Sequence, residues 1–338
     1  MIWLTWRQAR AQTLIAVGIL TALAIYVVIL GLGIQDYYDS NIVGCAADNS
    51  CQTATELFRD KYQGSAALTG ALLLAIPALI GIFWGAPLIT RELETGTHKL
   101  VWNQSVTRTR WLATKLIIIA LISLVLTAAF SFLLTWAVDP VDKLIGSRFA
   151  AMTFDSRDIV PLAYAVFAFA LGTTVGMLIR RTLPAMAVTL AIFAIVQIVT
   201  PNLVRPHLMS PITTNVAFTK EIAQSIDGIG SKGGPQNGDS EPVGVSGYNK
   251  PGAWILSEPL NALINADGSA FTRADMKACM TGDFEKDLVC LASKNLHFSI
   301  TYHPASRYWP FQWIETSIFL ALALGLAGAS LVRIRRIS

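Results

Sequence analysis

Six stretches of the chain carry no charged side chain: 13–34, 67–89, 116–138, 159–179, 183–200 and 316–332. A helix rises about 1.5 Å per residue and a bilayer core is about 30 Å thick, so about 20 apolar residues cross it. The two shortest stretches extend through their flanks, to Asn202 and from Trp313. Six such segments cannot all be shielded inside a soluble protein of 338 residues. The pattern predicts an all-α polytopic membrane protein with six transmembrane helices. The first stretch is longer than a signal-peptide core and lacks a clear A-x-A cleavage site, so it reads as a span. Composition agrees: 53% of residues are hydrophobic and 14% charged, where soluble domains carry about a quarter charged.

Charge sets the expected orientation. Alternate connections hold twelve of the 26 basic residues: Arg7 and Arg10; Arg91, Lys99, Arg108, Arg110 and Lys115; Arg180 and Arg181; Arg333, Arg335 and Arg336. Only Glu92 and Glu94 oppose them there, whereas acidic residues outnumber basic ones in the rest of the chain. Both termini are therefore expected in the cytoplasm of a plasma-membrane protein. The basic loops read as topology signals, with no need for nucleic-acid binding.

The cysteines fall where that orientation puts an oxidising face. Cys45 and Cys51 share the first outside loop, and Cys279 and Cys290 the third. We expect the disulfides Cys45–Cys51 and Cys279–Cys290. A zinc site is the alternative, but the spacings are too wide for C-x-x-C and no His pair stands at ligand spacing, so no metal is expected.

Between the spans, residues 1–12 read as an interfacial helix or as a plain anchor of span 1. The acidic loop 35–66 has room for one short helix at TATELFRDKY, and Pro77 should kink span 2. The turn 180–182 makes spans 4 and 5 a helical hairpin. A large extracytoplasmic subdomain is expected over 201–313. Its Gly-rich part (228–247) reads as a mobile linker or flap, and 272–295 as a helix and a half. Tyr308, Trp309, Phe311 and Trp313 form an aromatic girdle before span 6, in the final stretch 314–338 with its basic tail. A flexible part beside a stapled one suggests a lid over an exit.

Chemistry-bearing motifs are sparse. Gly228, Gly230 and Gly233 match G-x-G-x-x-G, but in a loop without the strand and helix that a dinucleotide site needs. No Walker loop, H-E-x-x-H or G-x-S-x-G is present. The span interiors lack ionisable groups, with Lys115 and Glu315 only at helix ends, which argues against an ion-coupled carrier. Span polarity is low, and Pro77, Phe193 and Gln197 are the candidate lining of an apolar pathway.

The informative connection is 84–115, WGAPLITRELETGTHKLVWNQSVTRTRWLATK. Arg91, Glu92 and Glu94 follow span 2 directly, Gly96 breaks the helix, Thr97 can cap a second one, and Leu100, Val101 and Trp102 add apolar surface. A charged, partly apolar loop suits docking to a soluble partner. The order E-x-E-x-G-T, Leu, V-[ST]-R and Lys resembles ABC-2 type ABC transporter permeases, especially actinobacterial ones. So does YHPASRYWPFQWIE before span 6, although Ser105 stands where the family often has proline. The resemblance implies a coupling loop over 90–111, with Arg91, Glu92, Glu94, Gly96, Thr97, Leu100 and Arg108 as its positions. It implies no cofactor in this chain, ATP and Mg held by a separate ABC ATPase subunit in two copies, and a second permease copy, most simply as a homodimer in the membrane lipid. A hydrophobic or amphipathic cargo is expected to be exported. The alternative is a stand-alone membrane protein with an extracytoplasmic sensory or enzymatic domain.

Overall fold

In the computed structural model the described residues are 2–43, 45, 49–96, 107–145, 148–231, 238–257 and 260–336. They form two compact units. One joins Met1–Ile145, Ala150–Leu208 and Trp309–Ser338, and the other joins Gly146–Phe149 and Met209–Tyr308.

The first unit is helical. Six of its helices are long and apolar enough to cross a membrane: Val17–Asn41, Thr53–Glu94, Arg108–Leu144, Val160–Ile179, Thr182–His207 and Ala305–Ile334, here spans 1 to 6. Several continue well beyond their apolar stretches. Helix α1 (Ile2–Asn41) is unbroken, so residues 2–12 form its first turns. Helix α2 (Asn49–Ile80) absorbs the segment expected as a separate loop helix. The reason is packing: Phe58, Tyr62, Ala66 and Leu73 recur at helical spacing and are buried. Phe58 meets Tyr62 at 5.1 Å and Tyr37 of α1 at 5.8 Å, and Tyr62 Oη donates to Gly33 O at 3.0 Å. The Cys45–Cys51 disulfide closes the short connection that remains, with Cα atoms 5.7 Å apart.

Span 2 departs from α geometry at Gly81–Gly85, a π segment, and resumes as α3 (Pro87–Glu94). Helix α2 runs through Pro77, and the departure from α geometry comes one turn later, at Gly81–Gly85. Ala86 N reaches back five residues to Gly81 O at 2.9 Å, and Pro87, which has no N–H to give Phe83 O, follows at once. A second π segment, Thr200–Val204, stands just before Arg205 and Pro206 at the end of span 5.

Span 3 is α4 (Arg108–Ile145), which a short helix α5 (Ala151–Asp155) follows. Span 4, α6 (Val160–Ile179), is the centre of the unit, 72% buried where spans 1 and 5 are each 17% buried. Glycine makes this possible. A Cβ on Gly172 would sit 2.2 Å from Gly81 O, and one on Gly176 2.6 Å from Ala86 O. Two G-x-x-x-G pairs, 81/85 and 172/176, thus let spans 2 and 4 touch backbone to backbone. Span 4 ends with Arg180 in the left-handed region (φ 57°), and span 5, α7 (Thr182–Val199), starts two residues later as the expected hairpin.

The second unit is not all-helical. Residues 201–208 and 309–313 belong to the helical unit, which leaves 209–308 as the compact body. Strands β1 (Ile212–Ala217), β6 (His297–His303) and β4 (Trp254–Ile255) form one antiparallel sheet in the order β1-β6-β4. Strands β2 (Gly228–Ser231), β3 (Val243–Ser246) and β5 (Leu260–Ala262) form another in the order β2-β3-β5. Helices α8 (Lys220–Ser225), α9 (Arg273–Lys277) and α10 (Phe284–Ser293) complete it. The Gly-rich flap expected over 228–247 is instead paired at its two ends, 228–231 with 243–246, with a turn before β3 and with 232–237 outside the described residues. Val243 and Val245, 1% and 0% exposed, anchor it in a core with Leu263, Phe271 and Phe298. The Cys279–Cys290 disulfide joins α9's end to α10. The last helix, α11 (Tyr308–Ile334), carries span 6.

Candidate functional site

The motif between spans 2 and 3 is built on α3. Arg91 is exposed, and the two acidic residues near it bond to different neighbours, Glu92 half-buried and Glu94 exposed. Glu92 Oε1 bonds to Lys115 Nζ of span 3 at 2.5 Å, with the side chains 13% and 4% exposed. The Lys115 ammonium also lies 4.4 Å from the centre of the Trp111 ring. Glu94 instead accepts from Thr182 N at 2.9 Å and from Thr182 Oγ1 at 2.6 Å. Thr182 opens span 5, whose N-cap residue Arg181 makes no side-chain cap, so Glu94 does that work from another helix. The same hydroxyl lies 2.9 Å from Thr90 Oγ1.

The two acids expected to face a partner thus tie α3 to spans 3 and 5. Gly96 follows with φ +70°, the left-handed region that glycine enters without strain. Thr97 and Leu100 lie outside the described residues. Arg108 is the first residue of α4, and Thr107 before it caps that helix, accepting from Arg110 N at 3.4 Å. The [ST] position of V-[ST]-R has a physical role: it starts span 3.

The candidate pathway residues separate. Pro77 is buried on span 2. Phe193 of span 5 packs edge-on against Tyr164 of span 4 at 6.5 Å, and Gln197 Nε2 is buried without an acceptor among the described residues. A different feature offers apolar space. Spans 1, 2 and 3 border a half-open apolar cavity of about 530 Å³ lined by Ile19, Leu23, Ile76, Leu79, Phe83 and Leu126, among others. The π turn places Phe83 and Trp84 on its wall.

At the opposite ends of spans 4, 5 and 6 lies a group of residues that sequence reasoning missed. Arg205 is fully buried. Its Nε donates to Glu315 Oε2 at 2.8 Å and its Nη2 to Glu315 Oε1 at 2.9 Å. Nη2 also donates to Asp155 Oδ1, and the guanidinium stacks 4.0 Å from the Phe154 ring centre. Tyr164 Oη bonds to Glu315 Oε1 and stands 3.3 Å from Asp155 Oδ1. Next to it Arg157 Nε donates to Asp142 Oδ2 at 2.9 Å. Both Arg205 and Glu315 stand toward the ends of spans 5 and 6, where a single charge reads as an anchor, and only the fold brings them together.

A family model described as "ABC-2 membrane transporter related" matches residues 17–205, more than half of the chain and all of spans 1 to 4. The chain belongs to this family. No curated protein and no solved structure matches it. The ABC-2 protein is a multi-pass permease of the plasma membrane, and the matched region includes α3, with both of its acidic ties, as well as Arg205.

Proposed function

We propose that this ABC-2 permease is the membrane subunit of an ATP-driven exporter, with ATP hydrolysed by a separate ABC ATPase. The observation that carries the reading is the double tie of α3: Glu92 to Lys115 of span 3, and Glu94 to Thr182 of span 5. A partner pushing on residues 91–108 moves three spans at once, because span 2 continues into α3 while the two carboxylates hold the others. That is what coupling nucleotide-driven closure to a rearrangement of spans requires. The excess of basic residues in the connections at this end supports a cytoplasmic α3, and the acidic balance of the rest supports an outside location for 209–308. Arg91 is exposed and available to the partner.

Two permeases and two ATPase subunits make the working complex. Spans 1 and 5, largely unburied within one chain, supply surface for a second copy and for lipid. The apolar cavity between spans 1, 2 and 3 supports a hydrophobic or amphipathic cargo.

Two measurements test the reading. A cysteine placed at residue 240 should react with an impermeant reagent on intact cells, and reaction only after permeabilisation contradicts the orientation. ATPase stimulation of the complex in nanodiscs should follow hydrophobicity across a compound panel, and stimulation by small hydrophilic solutes alone contradicts the cargo class.

A further inference from the structure

The buried group around Arg205 plays no part in the coupling described above, and its charges do not balance. Asp155, Glu315 and Arg205 are 3%, 1% and 0% exposed. Two carboxylates face one guanidinium and one phenol, which leaves one negative charge in surplus. The neighbouring Arg157–Asp142 pair is neutral on its own and offers no compensation. Arg205 Nη1 is buried and finds no acceptor among the described residues. The group is therefore not a closed salt bridge. It has one carboxylate more than it can neutralise, and a donor to spare. Uncompensated charge is costly in a buried site, and a proton is the smallest ion that removes it.

The bonding pattern says which carboxylate takes the proton. Glu315 receives a two-pronged contact from Arg205, at 2.8 and 2.9 Å, and a further bond from Tyr164. Such donors favour the charged form. Asp155 is bonded through Oδ1 alone, to an Nη2 and a phenol that both also serve Glu315. It is the poorer anion site of the two.

We propose that Asp155 is a proton-binding site: its carboxylate takes one proton from water to become a carboxylic acid, and in that neutral state Arg205, Glu315 and Tyr164 pin spans 4, 5 and 6 together at this end. Burial pushes the Asp155 carboxyl up to about 6, with the Glu315 charge adding and the Arg205 charge opposing.

Among the described residues, Arg205, Glu315 and Tyr164 are the charged and titratable groups that act on Asp155. On its own loop Arg157 turns to Asp142. Span 2 approaches with Gly70, where a side chain would come within 3.1 Å of Ser156 Oγ. Span 6 adds the neutral Gln312, which bonds Phe154 O at 3.2 Å and Val160 N at 3.1 Å. The sign follows from the raised value. The folded protein binds this proton more tightly than the unfolded chain, so the contribution to stability is full below the unfolded value of about 4. It is lost as pH rises through about 6.

The test uses the full chain in lipid nanodiscs. Infrared difference spectra between about pH 7.5 and about pH 5 should show a carboxylic-acid carbonyl band that titrates near the Asp155 value and is absent from Asp155→Asn. That variant should melt a few degrees above the parent at the higher pH, and the two should converge at the lower. If Asp155→Asn does not fold, Asp155→Glu replaces it and should keep the band with a moved midpoint. No titrating band in the parent, a band that survives Asp155→Asn, or a melting difference independent of pH would each overturn the proposal.

Discussion

Glu94, the last residue of α3, caps span 5 by accepting two hydrogen bonds from Thr182, at 2.9 Å to its N–H and 2.6 Å to its hydroxyl. A residue whose charge and exposure suggest a docking surface is thus a tie between helices. Glu94→Ala should leave the ATPase subunit bound but weaken transmission, so that cargo-stimulated ATPase activity falls about 5-fold or more, the size of a typical coupling energy. Co-purification and stimulated hydrolysis are measured on the same preparation. Loss of the ATPase subunit itself would make Glu94 a docking residue instead.

Spans 2 and 4 meet through backbone atoms. Gly172→Ala should destabilise the helical unit by about 1–3 kcal/mol, because its Cβ has Gly81 O, which cannot rotate away, in its path. Gly325→Ala and Gly328→Ala in span 6, where a Cβ meets nothing within 4 Å, should melt like the parent. Thermal unfolding of the three variants in one lipid composition decides between tight packing and a general preference for glycine.

Arg205 holds two buried carboxylates. Arg205→Met strands both, and should cost about 3–5 kcal/mol. Neutralising the carboxylates as well, with Asp155→Asn and Glu315→Gln, should restore most of that loss, since the damage comes from unpaired charge rather than from the missing side chain. Denaturant unfolding of the single and triple variants measures it. Equal loss in both would show that Arg205 acts through packing.

The sequence made some of these features legible and hid others, for physical reasons. A bilayer asks only for length and apolarity, so the six spans are visible locally, and Cys45 with Cys51 and Cys279 with Cys290 stand close enough in the chain to pair by inspection. The Arg205 group is invisible because its members are 50 and 110 residues apart, and a single charge at a helix end reads as an anchor. Strands β2 and β3 look like a linker by composition. Their burial depends on Leu263, Phe271 and Phe298, which come later in the chain. Glu92 pairs with Lys115 and the exposed Glu94 with Thr182, partners 23 and 88 residues away, which no local pattern shows. The G-x-x-x-G pairs were readable, since both stand in apolar runs where small residues mark close helix contacts.

The central claim, that this permease works with a separate ATPase docked at 91–108, is tested most directly by native mass spectrometry of the complex purified from the membrane of its own cells. The account predicts two copies of this chain with two copies of a Walker-type ATPase, and loss of the ATPase alone when Arg91→Glu is combined with Leu100→Asp. A chain that is purified without any ATPase, or a complex that the double variant leaves intact, would contradict it.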